Sequence, residues 1–215
     1  MGNVYVKDAG DFSSADQKNL GLYFEERKRG LAVFFPGIGY HTDKPLLYYG
    51  KKLAAAYGCE IMEMSYGELP THIKGNHEKM MAAFEKGLSH VTKQLEQVDF
   101  SRYEKVLFVS KSIGTAVAAA YAMKNRIDAL HIYYTPVEES FQVIGTEGVV
   151  FHGTADPWAR TDVIRQACEE RGLPLYLTEG ANHSLETGNV QEDLKNLEQI
   201  MRVSEEYIRR GMSRM

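Results

Sequence analysis

The chain has 215 residues, of which 44% are apolar and 25% charged, and a formal net charge of −4. That length suits a single domain that buries about 70% of its unfolded surface without a disulfide or metal staple. A small, interspersed charge excludes a nucleic-acid footprint and a polybasic membrane patch, and no apolar run approaches the ~18 residues of a membrane span.

Cys59 and Cys168 lie far apart and outside any metal-ligand spacing, so free thiols in a reducing compartment are expected. The first residues, Met1-Gly-Asn-Val-Tyr-Val6, carry neither a signal-peptide pattern nor the Ser or Thr at position 6 of a myristoylation signal. The expectation is a cytoplasmic protein acting on a small molecule as monomer or homodimer, with no nucleic-acid or membrane partner.

Asn3–Lys7 and Leu20–Glu26 read as short strands around a polar turn, and Leu31–Phe35 follows the charged turn Arg27–Gly30. This start predicts antiparallel strands at a sheet edge. From Pro36 the pattern becomes strand, loop, helix. Two glycines open the loop Pro36–Asp43, Asp43 is placed to cap a helix with Pro45 in its first turn, and that helix runs to about Tyr57. Cys59–Ser65 is the next strand, and Asn76 caps a long amphipathic helix ending near Val98 after the loop Gly67–Gly75. Lys105–Val109 reads as the central strand and Ile113–Lys124 as its helix. Ala129–Tyr134 and Gly148–His152 are further strands, with Val137–Gly145 too short for more than one or two helical turns. A helix over Thr161–Arg171, a strand at Leu175–Thr178 and an amphipathic helix over Val190–Arg210 close the chain, the last with Leu194, Leu197, Ile200, Met201 and Ile208 on one face. Apolar strands alternating with helices predict an α/β fold: a three-layer α/β/α sandwich around a mostly parallel sheet, with no separate lid domain.

The stretch Val106-Leu-Phe-Val-Ser-Lys-Ser-Ile-Gly114 is an apolar strand that ends at a serine-bearing corner, with a small-residue helix directly behind it. That geometry describes a nucleophile elbow with Ser112 at its tip. Positions two residues either side of the tip must be small, because strand and helix pass close together. Gly114 meets the G-x-S-x-G pattern and Ser110 replaces its first glycine. Asp156, in His152-Gly-Thr-Ala-Asp-Pro157, follows a strand's C-terminal end, where open α/β sheets place functional residues. His183, in Gly180-Ala-Asn-His-Ser184, again follows a strand. The order Ser112, Asp156, His183 matches the Ser, Asp, His order of one hydrolase architecture. The Ile38 and Ile113 N–H groups are the candidate oxyanion donors, and Gly37, Tyr40, Lys111 and Trp158 are candidate pocket-lining residues.

These motifs resemble those of the α/β-hydrolase superfamily, and most closely its small lidless, dienelactone-hydrolase-like members and hydrolases with a K-S-x-G elbow. The resemblance runs from about Leu31 to the C-terminus through F-P-G-I-G, S-K-S-I-G, H-G-T-A-D-P and G-A-N-H-S. It implies a cofactor-free, metal-free serine hydrolase that cleaves an ester-type acyl bond through an acyl-enzyme. Ser112 would be nucleophile, His183 general base and Asp156 the orienting acid. An amidase, peptidase or thioesterase with the same residues, or a catalytically silent hydrolase fold that only binds, are the alternatives.

Other residues compete for these roles. Ser110 is a second candidate nucleophile, Glu138 and Glu139 candidate acids, and His152 and His41 candidate bases. Ser112 also suits a plain helix-capping role. Ser110-Lys-Ser112 ends like a phosphate-binding loop, but residues 105–110 contain no glycine. His72 and His77 are poorly spaced as metal ligands.

Overall fold

A strand made of consecutive apolar residues needs cover on both faces, and Leu31–Phe35 is wholly buried along its length. In a computed structural model, which describes residues 28–70 and 73–213, this run forms most of β1 (Lys28–Phe35). β1 lies between β2 (Cys59–Glu63) and β3 (Tyr103–Lys111), parallel to both. Beyond β3 follow β4 (Leu130–Tyr134), β5 (Val149–Gly153) and β6 (Leu175–Thr178), giving the order β2-β1-β3-β4-β5-β6 with every pairing parallel.

The antiparallel start expected for the chain does not extend to β1. Both of its edges are occupied by parallel neighbours, so it is an interior strand and has no edge left for a hairpin partner. The expected strands Asn3–Lys7 and Leu20–Glu26 lie outside the described residues.

Parallel neighbours require crossover helices. These are α1 (Pro45–Ala56), α2 (His77–Leu95), α3 (Ile113–Asn125), α4 (Thr161–Arg171) and α5 (Val190–Ser213). Alternate strand residues sort into two layers. Ala32, Phe34, Leu107, Val109, Ile132 and Phe151 pack with α1 and α5. Val33, Phe35, Phe108 and Val106 pack with α2 and α3 on the opposite face, where Tyr133, Val150 and Ile164 continue the layer under α4. The result is the three-layer sandwich. Each fully buried Leu or Phe contributes about 1.5–3 kcal/mol, so the sheet core is the main source of stability.

Helix starts differ in how they are capped. Asn76 accepts the Lys79 N–H at 2.9 Å and caps α2 as expected. Asp43 does not cap α1: the N-cap is Lys44, with no side-chain bond, and Asp43 instead meets the Lys51 ammonium at 3.2 Å. Leu194 also departs from the expected apolar face of α5. It stands 58% exposed, whereas Ile200 and Ile208 are buried. Both cysteines are buried and neither is in a disulfide. The connection from β4 to β5 carries only a short 3-10 turn at Glu138–Gln142.

Candidate active site

β3 ends at Lys111, α3 begins at Ile113, and the single residue between them turns the chain at φ 55 and ψ −127. A side chain at positive φ is strained unless its surroundings hold it. Here the Ser112 N–H donates to the Tyr134 carbonyl at 3.0 Å, and the Ser112 carbonyl accepts the Thr115 N–H at 2.9 Å. The Ser112 hydroxyl makes no capping bond to α3 and points outward. Ser110, one strand pair lower, is fully buried and donates to the Ile132 carbonyl at 3.2 Å. It therefore fills the first glycine's position of the elbow pattern as an inward-bonded residue.

The structure brings Ser112, His183 and Asp156 into one chain of hydrogen bonds. Ser112 Oγ donates to His183 Nε2 at 2.8 Å, and His183 Nδ1–H donates to Asp156 Oδ2 at 2.7 Å. The carboxylate can only accept, which sets this tautomer. The other oxygen, Oδ1, accepts the Trp158 N–H at 2.8 Å. Burial pushes the Asp156 carboxyl upward, but the His183 hydrogen bond and charge, with Trp158 N–H and His152, outweigh it and leave its pKa lowered. Burial lowers the pKa of His183, and the positive charge of Lys111 adds to this against the pull of Asp156. The imidazole is thus held as a neutral base.

The rival residues have other partners. His152 Nε2 meets the Thr161 hydroxyl at 3.1 Å, and its Nδ1 is 3.9 Å from Asp156 Oδ2, beyond hydrogen-bond reach. Glu138 accepts the Arg160 N–H at 2.9 Å, and His41 is exposed beside Asp43. His72 lies outside the described residues.

A hollow of about 100 Å³ above Ser112 is lined by Ile38, Ile73, Met80, Ile113, Val137, Trp158 and His183. Of the candidate lining residues, Trp158 faces it, with its ring centroid 5.6 Å from that of His183. Gly37 is buried behind the serine, where an added Cβ would meet Ser112 Cβ at 3.1 Å. Tyr40 and Lys111 do not line the hollow. Tyr40 is buried under it, its hydroxyl accepting the Leu46 N–H at 3.1 Å. Lys111 is fully buried, with its ammonium nitrogen 5.0 Å from the Tyr40 ring centroid and no hydrogen-bond partner among the described residues. Strand alternation sends Lys111 to the opposite face from Ser110, into the α1 layer.

The loop Gly37–Tyr40 is a tight turn closed by Gly37 N–H to Tyr40 O at 3.0 Å and Tyr40 N–H to Gly37 O at 3.3 Å. Ile38 N–H takes no part in that pair. Ile113 is the first residue of α3, so its N–H has no intrahelical acceptor and sits at the positive end of the helix dipole.

Ile73, Met80 and Val137 escaped the sequence reading, since apolar residues in loops and helices carry no chemical signature. Thr135 also escaped it. Its hydroxyl donates to the His183 carbonyl at 3.1 Å and ties the histidine loop to the end of β4. The positive φ of 42 at Thr135 marks a constrained corner that the sequence signals only through the following Pro136.

No protein-family model matches the sequence, and no curated protein matches it. Solved structures do match. A putative hydrolase of the α/β superfamily from Xanthomonas campestris pv. campestris has a TM-score of 0.66 at 12% identity, covering 85% of this chain and 99% of that one. Est1E from Butyrivibrio proteoclasticus, solved with ferulic acid bound, has a TM-score of 0.64 at 12% identity, covering 88% of this chain and 92% of that one. An α/β serine hydrolase without a lid from Xanthomonas campestris has a TM-score of 0.59 at 12% identity, with coverages of 87% and 84%.

Proposed function

Because this chain has the α/β-hydrolase fold, we propose that it is a serine hydrolase of ester-type acyl bonds, built as one domain without a separate lid. The observation that carries this reading is the continuous hydrogen-bond chain from a strained, outward-facing Ser112 through His183 to Asp156. His183 removes the Ser112 proton as Oγ attacks the acyl carbonyl. Asp156 holds the imidazole tautomer and stabilises the imidazolium. The carbonyl oxygen becomes an oxyanion that accepts from the Ile38 and Ile113 N–H groups, and loss of one such donor costs about 10²–10³ in turnover. His183 then returns the proton to the leaving alcohol. Water, activated by the same imidazole, releases the acid from Ser112.

Labelling with a fluorophosphonate probe tests this reading. The native protein is expected to label, and Ser112→Ala and His183→Ala are expected not to. Labelling of Ser112→Ala at the native rate would overturn the nucleophile assignment. A folded native protein that never labels would favour a catalytically silent binding protein.

A further inference from the structure

A second hollow adjoins the one above Ser112. Met80, Ile113 and Val137 also line this second hollow of about 70 Å³, whose other apolar walls are Met81 and Phe84 of α2, Ala116 of α3, and Val143. α2 packs on α3, so residues of both helices wall the second hollow. His77, Glu139 and Gln142 are also at the second hollow, which gives it polar residues beside its apolar walls.

We propose that this second hollow is the acyl-chain site, and that the substrate is an ester of a short to medium straight-chain fatty acid. The proposal rests on the serine-hydrolase reading above. Chemistry decides which half of the ester enters. The leaving alcohol must lie within reach of His183, which protonates it. His183 and Trp158 line the first hollow only, and neither reaches the second. The group that extends past Ile113, away from the imidazole, is therefore the acyl chain.

The walls agree with this assignment. Met80 and Met81 are unbranched and adaptable, suited to a flexible chain in place of a rigid ring. The second hollow, about 70 Å³, is roughly half of the ~150 Å³ apolar cavity that accepts benzene, so with the carbons beside Ser112 it takes an acyl chain of about four to six carbons. Longer chains outgrow the second hollow and gain little.

p-Nitrophenyl esters from acetyl to dodecanoyl test the proposal on the native protein and on Ala116→Leu and Val143→Phe, which fill the groove. Each buried methylene is worth about threefold to fourfold in kcat/KM. Native protein is expected to favour hexanoyl over acetyl at least tenfold, with no gain beyond. Both variants are expected to pull the hexanoyl-to-acetyl ratio toward one. The ratio is internal to each variant, so a partly unfolded preparation lowers both substrates together and leaves it unmoved. A native ratio near one, or ratios unchanged in both variants, overturns the acyl-site assignment while fluorophosphonate labelling keeps the hydrolase reading. A second series with the acyl group fixed and the alcohol lengthened separates the two halves. If the variants change that series instead, the groove holds the alcohol and the assignment fails. Absence of both labelling and ester hydrolysis in folded native protein overturns the hydrolase reading and this proposal together.

Discussion

Gly114 lies so close to Pro36 that a Cβ on it would stand 2.4 Å from the Pro36 carbonyl oxygen, and 2.6 Å from that of Phe35. The first turn of α3 is thereby pressed against the start of the Gly37–Tyr40 loop, and the proposed oxyanion donors, the Ile38 and Ile113 N–H groups, flank that contact.

Gly114→Ala is therefore expected to be severely destabilising, because the opposing atoms are backbone and cannot rotate away. Overpacking of this kind costs about 1–3 kcal/mol or more. Urea unfolding should show a lowered midpoint, and any folded fraction should label poorly with the fluorophosphonate, since the two N–H groups would be forced apart.

Ser112 and Ser110 should separate cleanly. Ser112→Ala is expected to lower turnover by on the order of 10⁶, as for removal of a nucleophile that acts as a unit with its base. Ser110→Ala loses only a buried hydrogen bond to Ile132, about 1 kcal/mol of stability, and should keep fluorophosphonate labelling. Measuring both variants by label and by ester turnover checks the assignment.

The activity of the protein is expected to fall on acidification along a limb governed by His183. Burial disfavours the imidazolium, so the limb in kcat/KM should lie below the ordinary histidine value of ~6.5. Cationic Lys111 lowers the His183 pKa further. Lys111→Met removes that charge and should move the limb to higher pH. A pH profile of kcat/KM on native and variant protein reads the shift directly.

Lys111 should also leave a mark on stability. Burial pulls its pKa down from 10.5 to about 7, Asp156 opposing. The unfolded chain then binds a proton that the native state does not, so stability rises with pH between about 7 and 10.5 and is lost as pH falls through that window. The slope reflects the one proton that only the unfolded chain holds in that window. Lys111→Met should remove this slope and stabilise the protein at neutral pH, where the native chain carries a fully buried amine with no hydrogen-bond partner among the described residues. Urea midpoints at pH 7, 8 and 9 distinguish the two.

Much of the architecture was legible before any coordinates, because its signals are local. The Asn76 cap and the corner at Ser112 each act within a turn of chain. Helices and strands accordingly fall within a few residues of their expected places. The order Ser112, Asp156, His183 could also be read, since each residue follows a strand end and carries its own chemistry. The Ser110 substitution in the elbow was legible as a departure, but its inward bond to Ile132 was not.

What the tertiary structure alone decided is which surfaces meet. The sequence by itself determined that β1 is apolar on both faces, but only pairing with β2 and β3 makes it an interior parallel strand. Period-two alternation puts Lys111 opposite Ser110, yet only the packing of α1 over Tyr40 buries the amine beside a ring. Leu194 belongs to an amphipathic helix by spacing and is left outside because α5 rotates Ile200 and Ile208 to the sheet. Ile73, Met80 and Val137 become walls of one hollow only because the loop before α2, α2 itself and the turn after β4 converge on Ser112. Local chemistry chooses the reactive residues. The close approach of distant backbone and apolar side chains brings them within hydrogen-bond distance and shapes the space beside them.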